Sequence, residues 1–127
     1  MRRVRRLLAL VASVVALAFT VTPAHASGTI SCYYRLLKFE KAFMADLFVT
    51  NQGAPITGWT AHWTFSSDER LGNVWGAIMV QREHDITATN VSWNASIPTG
   101  GTMSFGWTAL ASSTSVPTDI TINGMPC

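Results

Sequence analysis

Between Cys32 and Cys127 apolar and polar residues alternate in short runs, and no long helical period appears. A period of two puts successive side chains on opposite faces of a strand, so each run predicts a half-buried β-strand. In residues 43–50 the set Phe43, Ala45, Leu47 and Val49 faces one way, and Met44, Asp46, Phe48 and Thr50 the other. Residues 59–65 repeat the pattern, with Trp59, Ala61, Trp63 and Phe65 set against Thr60, His62 and Thr64. In residues 103–108, Met103, Phe105 and Trp107 read as inward, leaving Ser104, Gly106 and Thr108 outward; Ile120 and Ile122 add a last run. Turn-forming residues separate the runs at 51–55, 66–68 and 98–101. Short strands in this number predict an all-β fold, an antiparallel β-sandwich, without a linker or a second domain.

The two ends set the boundaries. Arg2, Arg3, Arg5 and Arg6 precede an apolar run from Leu7 to Phe19, and Ala24-His25-Ala26 closes it. This is the pattern of a secretory signal peptide, and the run is shorter than the roughly 20 residues of a spanning helix. Residues 1–26 are therefore expected to be removed, leaving residues 27–127 as one secreted domain, expected to be a monomer. Four of the nine basic residues lie in that leader, and the five that remain face seven acidic ones. The mature part is thus slightly acidic, which argues against nucleic acid or an anionic membrane as partner. Cys32 and Cys127 are the only cysteines, and an even count in an exported chain favours a disulfide. Metal binding is the weaker reading, because neither a CxxC nor a His pair accompanies them.

The tryptophans divide. Trp59, Trp63 and Trp107 fall on core faces, whereas Trp93 lies among Ser, Asn, Thr and Gly, after the strand-like stretch 85–90 and before a turn. An exposed indole on a small domain points to a contact surface. Trp75 is ambiguous by alternation alone.

The order Cys32, "GAPITGWTAHWTF", Trp75, "TNVSWNASIPTGGTMSFGW", "INGMPC" resembles the family 2 carbohydrate-binding modules of bacterial cellulases, chitinases and xylanases. The resemblance runs from Cys32 to Cys127 and implies a sandwich of nine strands whose terminal cysteines are bridged. It also implies a face on which three tryptophans lie against successive sugars of an insoluble β-1,4-linked chain. Trp75 and Trp93 match the second and third. The first belongs in a loop that reads "LLKFEKAFMADL" here, is shorter, and contains no tryptophan; Phe39 is the candidate to stand in for it. Asn73, Asp46, Ser104 and Thr108 fall where such modules place side chains that bond the sugar rim, the plain alternative being solvated strand residues.

The chemistry suits the residue types. A β-linked pyranose carries axial C–H groups on its faces and hydroxyls around its rim. An indole laid on that face removes apolar area from water, at roughly 25 cal/mol per Å², and its electron-rich surface meets the slightly positive C–H groups. The expected partner is cellulose or chitin, and no cofactor or metal is implied.

An enzyme is the competing class. A glycosidase needs two carboxylates across a cleft. Asp68 and Glu69 sit side by side in a turn, and Glu83 and Asp85 share a strand face; both pairs read as solvated surface charge. A leader cut after Ala24 would instead expose His25 as an N-terminal copper ligand, as in lytic polysaccharide monooxygenases. A cell-surface adhesion domain using the same aromatic face on a protein is a third reading.

Overall fold

The computed structural model describes residues 29–127. The leader, with His25 and its cleavage motif, lies outside the described residues. The chain forms β1 (Ile30–Phe39), β2 (Ala42–Asn51), β3 (Thr60–Thr64), β4 (Arg70–Trp75), β5 (Ala77–Arg82), β6 (Asp85–Asn90), β7 (Thr102–Leu110), β8 (Thr121–Ile122) and β9 (Met125–Pro126). These nine strands make two antiparallel sheets, ordered β1-β2-β7-β4 and β5-β6-β3-β8-β9.

The alternation decides which way each strand faces. Phe43, Ala45, Leu47 and Val49 of β2 are buried, as are Ala61 and Trp63 of β3 and Met103, Phe105 and Trp107 of β7. Together with Trp59 and Phe65 they fill the space between the sheets. Trp63 packs on Trp107 with ring centroids 4.9 Å apart, and Trp59 stacks on Phe105 at 5.0 Å.

β1 departs from the sequence reading. The stretch before the strand at 43–50 reads as a loop in the sequence, but β1 and β2 pair in register from Ile30↔Asn51 to Phe39↔Ala42, leaving only Glu40 and Lys41 as the turn. Lys41 takes a positive φ of 59° to close it. The strand has a weak sequence pattern because its outward residues Tyr33, Leu37 and Phe39 are apolar too, which flattens the contrast that alternation depends on.

The sandwich is closed at both sides. Cys32 on the edge strand β1 is bonded to Cys127, just after the opposite sheet's edge strand β9, with Cα atoms 5.3 Å apart. At the other side β4 runs into β5 through Gly76 alone, so the chain itself crosses between sheets. Gly76 has φ +75°, and an added Cβ would stand 3.2 Å from the Ser104 carbonyl oxygen; only glycine fits this corner.

The acidic residues also part from expectation. Glu83 is not on a strand but in the two-residue turn between β5 and β6, with φ 56°, so it does not share a strand face with Asp85. Glu69, expected in solvent, is 3% exposed, and its Oε1 has no hydrogen-bond partner among the described residues. Burial raises its pKa and the Asp68 charge adds to this, while the Ser66 and Ser67 amides and His84 pull it back. Asp68 has the opposite fate: its carboxylate accepts from Ser112 Oγ at 2.6 Å and from the Ser112 amide, which lowers its pKa.

A raised carboxyl pKa means the native state holds this proton more tightly than the unfolded chain does. The corresponding stability is full below the ordinary glutamate value and is lost as pH rises through the folded one. Glu69→Gln, which carries no charge at any pH, should therefore gain on the wild type in thermal midpoint as pH is raised from about 4 to about 7. A constant difference across that range would show that Glu69 ionises as freely in the fold as outside it.

Candidate binding face

The outer face of the sheet β1-β2-β7-β4 gathers most of the residues singled out by sequence. Registers put Arg35, Asp46, Gly106 and Trp75 in one row across its four strands. The neighbouring row toward the Gly76 corner holds Tyr33, Phe48 and Ser104; the opposite one holds Leu37, Met44 and Thr108, and Phe39, Ala42 and Leu110 follow. Asn73 is exposed at a bulge in β4, where its backbone N–H donates to Thr108 Oγ1 at 3.0 Å.

Trp75, ambiguous in the sequence, is 41% exposed. Its indole lies over Gly106, where an added Cβ would collide with the Trp75 ring and with Asp46 Oδ1. Gly106 thus faces outward in the strand sense yet is buried, covered by the ring rather than by water. Alternation assigns direction, but it cannot foresee a side chain folded across from the next strand.

Trp93 is 74% exposed, the highest value among the exposed large hydrophobic residues. Its position follows from the residue after it. Asn94 is buried at 6% exposure, donates through Nδ2 to the Gly76 carbonyl at 2.6 Å, and accepts the Val91 N–H on Oδ1 at 3.0 Å. The Asn94 carbonyl takes the indole N–H of core Trp59 at 2.9 Å. These bonds pin the turn to the sheet-crossing corner beside Trp75 and leave the Trp93 ring to solvent. Asn94 was not among the expected site residues; its place directly after Trp93 in a turn-like stretch was the available signal.

Asp46 is not a free rim group. Arg35 donates to its Oδ2 through Nε at 3.1 Å and Nη2 at 2.6 Å, and the Arg35 guanidinium also lies 5.4 Å from the centre of the Phe48 ring. Ser104 is exposed, and Thr108 is half-buried with its oxygen accepting from Asn73. Phe39 is 59% exposed and closes β1, on the strand farthest from Trp75. Six of the seven expected contact residues thus belong to this sheet and Trp93 stands at its corner, but Phe39 is set apart from both tryptophans.

The carboxylates do not build a comparable centre. Asp68, Glu69, Glu83 and His84 line a hollow at the Arg70 end of β4, away from Trp75. Asp68 is held by Ser112 and Glu69 is enclosed. Among the described residues no group of three or more His, Cys, Asp or Glu is placed to hold a metal.

Fold and site together define a β-sandwich with an aromatic contact face, an architecture found among carbohydrate-binding modules. Comparison with known proteins specifies which. Residues 30–127 match the cellulose binding domain family, family 2 of these modules, and the chain belongs to it. It is 33% identical to endoglucanase CelA of Streptomyces lividans over an alignment that takes in 100% of this chain and 28% of that enzyme. The chain therefore spans about a quarter of that relative. Among solved structures it is similar to the chitin-binding domain of Chi18aC from Streptomyces coelicolor, with TM-score 0.66, 25% identity, and coverage of 78% of this chain and 94% of that one. It shares the fold of the cellulose-binding family 2 domain from ScLPMO10C, with TM-score 0.57, 24% identity, and coverage of 71% and 92%.

Proposed function

We propose that this chain is a secreted, non-catalytic module that adsorbs to insoluble β-1,4-linked polysaccharide, cellulose or chitin, through Trp75 and Trp93. The observation that carries this reading is the contrast among five tryptophans. Three are at most 2% exposed, while Trp75 and Trp93 keep 41% and 74% of their surface and each precedes a residue of the bonded Gly76–Asn94 corner. Leaving an indole in water forgoes the largest apolar gain available to a side chain, unless a ligand covers it. Asn73, Ser104 and Thr108 lie within the same sheet and supply hydroxyl and amide groups for the sugar rim, whereas Phe39 stands apart from both tryptophans at the end of β1. Secretion rests on the leader pattern of residues 1–26.

The test is adsorption to cellulose, chitin and xylan in parallel, for the wild type and Trp93→Ala. The variant should lose about ten-fold or more in affinity, as for a truncated aromatic anchor. Its thermal midpoint should barely move, because the ring is exposed. Unchanged adsorption, or an unfolded variant, would remove Trp93 from the site.

A further inference from the structure

The outer face carries a second aromatic cluster, apart from the tryptophans. Tyr33 is 63% exposed and pairs across the strands with Phe48, ring centroids 5.9 Å apart. Between this pair and Trp75 lie Gly106, which has no side chain, the small exposed Ser104 and the Arg35–Asp46 ion pair. That ion pair touches both ends, since Arg35 stands over Phe48 and Asp46 Oδ1 lies where a Gly106 side chain would meet both it and the Trp75 ring.

We infer that the polysaccharide track crosses the strands, from Trp93 and Trp75 over the Arg35–Asp46 pair to a second aromatic seat at Tyr33 and Phe48. This rests on the binding role proposed above and specifies the course of the bound chain. The Trp75 ring covers β7, and Tyr33 is on β1, two strand spacings away. With the two-residue offset along the strands between the Gly106 row and the Tyr33 row, the separation is about 12 Å, a span of about two sugars, so both rings can meet one β-1,4-linked chain that crosses the sheet obliquely. Arg35 between them is 60% exposed, and its Nη1 has no protein partner among the described residues, so it presents donors to the hydroxyls at that point. The Tyr33 phenol adds a group that both donates and accepts at the rim. Phe39 lies off this line. It shares a row with Leu110, four residues along β7 from Gly106 and so about 13 Å further down the strands.

Adsorption isotherms on microcrystalline cellulose, with chitin powder in parallel, separate the two routes. On the polymer the wild type binds, Tyr33→Ala should weaken adsorption roughly three- to ten-fold, the scale of one aromatic contact. Tyr33→Trp should restore or exceed wild-type binding, and Phe39→Ala should change it less than about two-fold. Thermal midpoints near the wild-type value establish that each variant is folded. If Trp93→Ala weakens adsorption while Tyr33→Ala leaves it unchanged, the crossing track is wrong and the tryptophan site stands. If Phe39→Ala costs as much as Trp93→Ala, the chain runs down the strands and the inference fails. If neither Trp93→Ala nor Tyr33→Ala weakens adsorption, the binding role of the face fails with it.

Discussion

Removing the Cys32–Cys127 bond should lower the stability of the domain by about 4 to 5 kcal/mol in the chain-entropy picture. The bridged residues are 95 apart in sequence, so the bond closes almost the whole folded chain and restricts its unfolded ensemble accordingly. The native structure adds a second reason. Cys32 belongs to the edge strand of one sheet and Cys127 follows the edge strand of the other, so the bond is the covalent link along that side of the sandwich. β8 and β9, two residues each, have little pairing of their own with which to stay docked. Urea unfolding of the oxidised protein and of Cys32→Ala/Cys127→Ala checks this. A loss under about 1 kcal/mol would mean that interface packing, not the bond, holds the last strands.

Truncation of Trp63 should be comparably damaging, on the order of 3 to 5 kcal/mol for Trp63→Ala. The side chain is fully buried and touches Phe65, Phe105 and Trp107, so its loss opens a cavity in the middle of the aromatic core. One feature moderates the cost. Trp63 Nε1 is buried without a hydrogen-bond partner among the described residues, and truncation removes that unmet donor, which places the expected loss toward the lower end. Trp59 differs, because its indole N–H is bonded to the Asn94 carbonyl. Trp59→Phe should therefore cost more than Trp63→Phe, and should also loosen the turn that carries Trp93. Equal thermal midpoints for the two Phe variants would contradict this assignment of the polar contacts.

These two variants mark the divide between what is local and what is not. Alternation in β2, β3 and β7 was enough to assign Phe43, Trp63 and Trp107 to the interior, because a period of two needs only neighbouring residues. The polar setting of Trp93 announced its exposure in the same way, and the two terminal cysteines announced their bond. β1 was hidden because Tyr33, Leu37 and Phe39 make its outer face apolar as well. The burial of Glu69, the placing of the Trp75 ring over Gly106, the pairing of Arg35 with Asp46 and the anchoring of Asn94 to Gly76 were decided only by tertiary structure. Each joins groups from different elements, Trp75 and Gly106 being paired across β4 and β7. Strand register sets such neighbours, and register is fixed by the packing of the whole sandwich rather than by any stretch of sequence.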